Sequence, residues 1–167
     1  MTNLLTIFDF AEPAAVARWQ SIDDRIMGGC SLSGAEFIAG GGLRFCGGVS
    51  LDNHGGFASI RSPEGDYALS GRDGLLLKVR GDGKRYKLGL RTDRFFDGVS
   101  YQAPFQTVAG QWLEIALPFN GFVATHHGQQ LTMAAPLDPA GIQSFGLFIA
   151  DRQAGPFQLE VAWLKAC

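Results

Sequence analysis

Short apolar runs alternate with glycine, proline, asparagine and aspartate along this chain. Within most runs a hydrophobic residue occupies every second position, which is the period of a β-strand with one buried face. The runs recur about every 8 to 14 residues, and that spacing is typical of β-sandwiches and barrels. We therefore predict an all-β protein built as a two-sheet antiparallel sandwich.

The pattern also predicts individual elements. One short N-terminal helix is expected at 11–19, where Pro13 stands near the start of an alanine-rich stretch. A hairpin is expected at 74–92, because Asp82 and Gly83 form a favoured turn pair. Residues 120–141 show no strand pattern and read as a long surface loop. The predicted strands are 3–8, 30–33, 35–39, 43–51, 56–62, 74–81, 85–92, 99–105, 111–119, 142–150 and 155–166.

Alternation divides each strand into a core-facing set and an opposite set. The core-facing sets are apolar, whereas the opposite sets of the middle strands combine cations with aromatic rings. Guanidinium groups and flat rings together suit an anionic or sugar-like ligand, so we expect a binding face on one sheet. The alternative is that these charges only keep one sheet face in water. Beside small residues, the opposite sets contain Arg61, Lys78, Arg80, Lys87, Arg91, Trp112 and Phe148.

Composition supports this fold and narrows the partners. The 167 residues fit one domain, 1–167, that is large enough to bury a core. The 23 glycines and 13 phenylalanines favour a turn-rich β-protein. A formal net charge of -2 and a pI near 5.9 do not favour a nucleic-acid partner.

The termini and cysteines bear on the compartment. The N-terminus lacks the basic and apolar regions of a signal peptide, and no stretch approaches the length of a membrane span. The three cysteines form no CxxC pair, which favours free thiols in a reducing compartment. We expect a cytoplasmic protein; a bridge between Cys30 and Cys46 is the alternative.

Catalytic and metal-binding motifs are absent from the sequence. No GxSxG, HExxH, P-loop or paired CxxC pattern occurs. Asp23 and Asp24 are adjacent, as are His126 and His127, and adjacent side chains on a strand diverge rather than converge. We expect no enzyme activity, no cofactor and no metal; an unrecognised hydrolase and a structural calcium bound by isolated aspartates are the alternatives.

Several segments resemble the complex I intermediate-associated protein 30 family. The most specific are DRIMGGCS at 24–31, VSLDNHGGFAS at 49–59 and VRGDGKRY at 79–86, and the similarity runs over nearly the whole chain. The resemblance implies a jelly-roll sandwich of the galactose-binding-domain-like type. The mitochondrial member of the family is an assembly factor for respiratory complex I, and this chain, without a presequence, resembles a bacterial stand-alone member.

The resemblance and the face pattern together give candidate binding residues. We expect a protein-interaction module or assembly factor; the alternative is a module that binds a carbohydrate or small anion. Asp24, Arg25 and Asn53 stand in glycine-rich, turn-like segments, where side-chain hydrogen bonds that shape the loop are the competing explanation. The candidates are Asp24, Arg25, Asn53, Arg61, Arg80, Lys87, Arg91, Tyr101, Gln102 and Trp112.

Overall fold

Strands account for most of the regular structure. The computed structural model describes residues 3–23, 32–52, 56–95 and 98–167. Its strands are β1 (Leu5–Asp9), β2 (Gln20–Asp23), β3 (Leu32–Phe37), β4 (Leu43–Val49), β5 (Ala58–Arg61), β6 (Gly74–Arg80), β7 (Arg85–Arg91), β8 (Ser100–Gln106), β9 (Trp112–Pro118), β10 (Val123–His126), β11 (Gln129–Gln130), β12 (Ser144–Ile149) and β13 (Gly155–Ala166).

The strands form two antiparallel sheets. One has six strands in the order β3-β4-β13-β6-β9, and β1 pairs with β13 beside this path. The other has seven strands in the order β11-β10-β8-β7-β12-β5-β2. The predicted two-sheet antiparallel sandwich is therefore confirmed.

The one α-helix of the described residues is shorter than predicted. Helix α1 spans Pro13–Ala17, with proline in its first turn, where a missing N–H costs no hydrogen bond. It buries Val16 against the core. In the part of the chain that the structure describes, no helix has the length and apolar character needed to cross a membrane.

The core lies between the sheets, on the faces that alternation assigns to it, except near the end of β13. There, a register shift after Val161 places Trp163 opposite Lys78 on the outer side, whereas strict alternation predicts it in the core. Leu75, Leu77 and Val79 of β6 are at most 1% exposed, and Leu88 and Leu90 of β7 face them from the other sheet with the same burial. Each such side chain contributes about 1.5–3 kcal/mol when it leaves water. The apolar positions of the sequence pattern thus become the packed interior.

The connection between β6 and β7 differs from the prediction. β6 pairs with β9 and β13 in the six-stranded sheet, whereas β7 pairs with β8 and β12 in the seven-stranded sheet. The predicted hairpin is therefore wrong, and the turn at 81–84 carries the chain from one sheet to the other. The Asp82 carboxylate accepts hydrogen bonds from Lys84 N (3.1 Å), Tyr86 Oη (2.9 Å) and Gln158 N (2.9 Å), which fix this crossover.

The segment 120–141 is more ordered than predicted. β10 and β11 form a hairpin whose turn residues, His127 and Gly128, both have positive φ, as a two-residue turn of this kind requires. β10 pairs with β8, so the hairpin extends the seven-stranded sheet. The prediction of a strand-free loop is wrong because these strands are too short to show a clear alternation.

Candidate binding face

Each sheet has an inner face on the core and an outer face away from it. We call the outer face of the seven-stranded sheet the seven-strand face and that of the six-stranded sheet the six-strand face. The seven-strand face comprises Gln20, Ile22, Ser59, Arg61, Arg85, Lys87, Gly89, Arg91, Ser100, Gln102, Pro104, Gln106, Val123, Thr125, Gln130, Ser144, Gly146 and Phe148. The charged and aromatic members of the six-strand face are Asp9, Glu36, Arg44, Lys78, Arg80, Trp112, Glu114, Glu160, Trp163 and Lys165.

Strand register aligns part of the seven-strand face into a row. Arg61 pairs with Gly146, Gly146 with Gly89, and Gly89 with Gln102. Neighbouring strands lie about 4.8 Å apart, so this row crosses the sheet over about 14 Å. An arginine and an amide therefore flank a centre that has no side chains of its own.

Phe148 covers this centre. A Cβ placed on Gly146 would lie 2.9 Å from Cε2 of Phe148, and one on Gly89 would overlap the same ring atom. A side chain at either position would therefore force the Phe148 ring to move from its place over the two glycines. Phe148 is only half-buried, so part of its ring faces solvent as an apolar platform between polar neighbours.

Arg61 and Arg91 lie close to each other at one end of the face. Burial, followed by the nearby Arg91 charge, lowers the pKa of Arg61 to about 10, while Glu64 and Asp93 act in the opposite direction. Arg91 Nη1 donates a hydrogen bond to Gly98 O at 3.0 Å. The Arg61 guanidinium remains charged at neutral pH, because even its lowered pKa is far above 7.

Lys87 and Gln102 complete the seven-strand face on either side of Gly89. Lys87 Nζ lies 3.4 Å from Asp151 Oδ1 at the far end of the strands. Gln102 Nε2 donates to Ser100 Oγ at 3.4 Å, a long and weak hydrogen bond. Both side chains are half-buried and present donors beside the aromatic platform.

Two predicted site residues lie elsewhere, on the six-strand face. Arg80 Nη2 lies 2.6 Å from Glu160 Oε2, a contact that raises the pKa of Arg80, and its guanidinium carbon is 5.0 Å from the Trp112 ring centre. Lys78 Nζ lies 5.9 Å from the same ring centre. The expectation that these cations and Trp112 share one face with Arg61, Lys87 and Arg91 is therefore wrong.

The remaining candidates have other positions. Tyr101 turns inward, is 8% exposed, and donates its hydroxyl to Ala135 O at 2.8 Å. It lines a pocket of about 620 Å³ with the turn after β7 and residues 130–135. Asp24, Arg25 and Asn53 lie outside the described residues.

The candidate list from the sequence lacks two members of the seven-strand face that shape its binding surface, Phe148 and Arg85. Alternation places Phe148 on the outer side of its strand, but nothing local reveals that two glycines lie beneath its ring. Arg85 continues the alternation of Lys87, Gly89 and Arg91 by one step, and that pattern was enough to find it.

The structure also gives the positions of the side chains that could bind a metal ion or form a disulfide. Among the described residues, no three histidine, cysteine or acidic side chains come together as a metal site would require. Asp138 instead accepts a hydrogen bond from Ala140 N and caps a 3-10 turn at Pro139–Gly141. Cys46 is a free thiol rather than one half of a disulfide.

The fold defines the class of the protein, a β-sandwich like those of carbohydrate-binding modules. The family 11 module from Clostridium thermocellum, solved with a β-1,3-1,4-mixed-linked tetrasaccharide, is similar at a TM-score of 0.73 and 18% identity, over 98% of this chain and 94% of that one. The module of the cellulosomal cellulase Lic26A-Cel5E is similar at 0.74 and 17%, over 99% and 95%. Identities this low establish a shared fold alone.

Sequence comparison gives the family. The model of the complex I intermediate-associated protein 30 family matches residues 8–161, and this chain belongs to that family. The mitochondrial protein of that name from Drosophila melanogaster is 28% identical over 95% of this chain and 61% of its own length. Its counterpart from Neurospora crassa is 25% identical over 96% and 72%. The chain thus spans about three-fifths of the fly relative, and the resemblance seen in the sequence is confirmed.

Proposed function

We propose that this protein is a non-catalytic binding module of the assembly-factor type, which holds a polypeptide client on its seven-strand face. The observation that carries the proposal is the platform of Phe148 over Gly89 and Gly146, with cationic and amide groups around it. A partly exposed ring surrounded by hydrogen-bond donors resembles the centre of a protein interface, where aromatic and arginine side chains are enriched.

Family membership supports the nature of the client. The relatives from fly and fungus are named for an association with complex I intermediates, and they match nearly all of this chain. We infer that the client is a subunit or an intermediate of a related respiratory complex. Proteins that share a fold can differ in function, which depends on the residues of the site, so the experiment tests the face itself.

The experiment compares matched aromatic substitutions on the two outer faces. Tagged protein with Phe148→Leu, which alters the seven-strand platform, is compared with Trp112→Leu on the six-strand face. After mild lysis, wild-type protein and Trp112→Leu should retain subunits of the respiratory complex, and Phe148→Leu should lose them. Thermal unfolding of each variant confirms that the proteins compared are folded.

Two results would refute this proposal. One is client capture by Phe148→Leu at the wild-type level, because the platform would then not be the contact surface. The other is wild-type protein that captures no respiratory subunit from cells in which the complex is being assembled.

A carbohydrate ligand is the second candidate. It is favoured by the similarity to a family 11 module solved with a tetrasaccharide and by the partly exposed ring of Phe148, since flat rings present apolar surface to sugars. A thermal-shift screen with neutral and acidic oligosaccharides tests it. A ligand at a hundredfold excess over its Kd stabilises the folded state by about 2.7 kcal/mol, and no shift with any sugar would exclude this function.

A further inference from the structure

Charged side chains are distributed differently on the two outer faces. The six-strand face mixes the carboxylates of its strands with a similar number of cations. On the seven-strand face, the strand side chains that the structure describes include cations but no carboxylate. The carboxylates of the first face are Asp9, Glu36, Glu114 and Glu160, and the cations of the second are Arg61, Arg85, Lys87 and Arg91.

This asymmetry is not a consequence of composition. The whole chain has 14 lysines and arginines against 16 aspartates and glutamates, so acidic residues are slightly in excess. Of the acidic groups that the structure describes, those that interact with cations of this face lie at its two ends. Asp151 contacts Lys87 at one end, and Glu64 and Asp93 act on Arg61 at the other. Between these acidic groups, the described strand positions of the face carry cations and no carboxylate, and that charge distribution favours an anionic ligand.

The cations of β7 are regularly spaced along the strand. Arg85, Lys87 and Arg91 stand at alternate positions of one strand, with Gly89 between the last two. Side chains on one face of a strand repeat about every 6.8 Å, so the cations extend over about 20 Å. An extended polypeptide laid along β7 has the same repeat in its own side chains. The gap at Gly89 lies under the Phe148 ring, which offers a place for an apolar side chain.

We propose that the client segment bound by the seven-strand face is an extended acidic stretch, with carboxylates at alternate positions and one apolar residue over Phe148. Its pattern is acidic-x-acidic-x-apolar-x-acidic. The carboxylates pair with Arg85, Lys87 and Arg91, and the apolar residue packs on the ring. This inference rests on the proposed function, because it specifies the chemistry of the client at the same face.

The test uses a labelled synthetic peptide of the pattern Glu-Ser-Glu-Ser-Leu-Ser-Glu and a second peptide with glutamine in place of glutamate. Fluorescence anisotropy measures the Kd of each with the full chain at low and at physiological salt. The glutamate peptide should bind at least about tenfold more tightly than the glutamine peptide, and added salt should weaken it, because exposed charges are screened.

Matched double variants locate the binding. Arg85→Gln with Lys87→Gln removes two cations of the seven-strand face and should raise the Kd of the glutamate peptide about tenfold. Lys78→Gln with Lys165→Gln removes two cations of the six-strand face and should leave that Kd unchanged. Phe148→Leu should raise the Kd of the glutamate peptide, and the salt dependence of that Kd should change little.

Three results would overturn the inference. The first is equal affinity for the two peptides, and the second is equal weakening by the two double variants. The third is binding of an oligogalacturonide of matched charge when the glutamate peptide does not bind, which would assign the face to an acidic saccharide.

The failure of this inference can be distinguished from the failure of the proposed function. If the glutamate peptide does not bind but Phe148→Leu still loses the respiratory client, the proposed function stands and only the acidic pattern is wrong. If the peptide binds but no client is captured, the acidic face stands without the assembly role.

Discussion

The pair of glycines under Phe148 shows how single residues shape the seven-strand face. Gly89 and Gly146 are neighbours on β7 and β12, and each adopts a φ that any residue can adopt. Glycine is needed there for space rather than for backbone conformation. The ring occupies the volume that two side chains would take, so the platform exists only while both positions stay empty.

At this scale we predict the effect of filling that space. Gly89→Ala should lower the free energy of unfolding by about 1–3 kcal/mol, because the new methyl group overlaps the Phe148 ring and lies 2.9 Å from Ser100 Oγ. Chemical denaturation measures it, and Gly34→Ala is the control, since a Cβ at Gly34 meets nothing within 4 Å. Adding Phe148→Ala should recover part of the loss. An equal cost for the two glycine variants would contradict the overlap.

Cys46 illustrates the effect of local environment on reactivity. Burial raises the pKa of its thiol from 9.0 to about 11, and the adjacent Glu36 adds to the rise through a hydrogen bond and its charge. Arg44 acts in the opposite direction. The thiol of the folded protein therefore stays protonated at a pH where an ordinary cysteine begins to ionise.

We predict that Cys46 is alkylated by iodoacetamide about a hundredfold more slowly at pH 8 than in the denatured chain, because the thiolate is the nucleophile. Glu36→Gln should lower the pKa and raise the rate. Peptide mapping by mass spectrometry follows this one residue. Between pH 9 and 11 the unfolded chain loses this proton first, so the contribution of Cys46 to stability falls as pH rises. A folded-state rate equal to the denatured rate at pH 8 would refute the shift.

At the scale of elements, the turn at 81–84 decides the topology. Its Asp82-Gly83 pair supports a tight reversal, and a reversal is compatible either with a hairpin or with a crossing between sheets. The choice depends on Gln158 of β13, whose N–H the Asp82 carboxylate accepts across 76 positions of sequence. No pattern confined to the turn contains that partner.

We predict that Asp82→Ala lowers the free energy of unfolding by about 2–4 kcal/mol, because three hydrogen bonds are lost at net values of about 0.5–1.5 kcal/mol each. Thermal and urea denaturation measure the change. Asp138→Ala is the matched control, since that carboxylate accepts one bond, from Ala140 N, on the surface. It should cost no more than about 1 kcal/mol. Equal losses would show that Asp82 does not hold the crossover.

At the scale of the whole molecule, an aromatic cluster joins the two sheets near the N-terminal end. Phe8 of β1 belongs to the six-stranded sheet, and its ring centre lies 5.7 Å from that of Phe145 in the seven-stranded sheet. It also contacts Trp19 and Tyr67, at 5.3 Å and 5.6 Å between ring centres. The contacts with Trp19 and Phe145 are edge-to-face, and such contacts add about 0.5–1.5 kcal/mol each beyond area burial.

We predict that Phe8→Ala lowers the free energy of unfolding by about 2–3 kcal/mol and Tm by roughly 4–12 °C, because its half-buried ring loses the contacts with Trp19, Tyr67 and Phe145. Phe37→Ala is the control: its side chain is 37% exposed, and its loss should cost less than about 1 kcal/mol. Guanidinium denaturation followed by tryptophan fluorescence measures both. If the two substitutions cost the same, the cluster does not couple the sheets.

The sequence predicted which side chains of the candidate face point away from the core, but it did not predict which residues belong to the same face. Alternation placed Arg61, Lys87 and Arg91 correctly on the side of their strands away from the core. Alternation could not show that Arg80 and Trp112 lie on a different face, because every strand of a sandwich has an outward side and no local pattern indicates which sheet a strand joins. The strand pairing in the structure shows that they belong to the other sheet.

The sequence by itself determined the class of fold, the apolar residues of the core and the family, because a two-residue period and local motifs are properties of neighbouring positions. The tertiary structure decided which strands are partners, that the turn at 81–84 crosses between sheets, and that the cations divide between two opposite faces. These features depend on contacts between residues far apart in the chain, such as Asp82 with Gln158 and Phe148 over Gly89. Such contacts form only when the sheets pack, so no local pattern contains them.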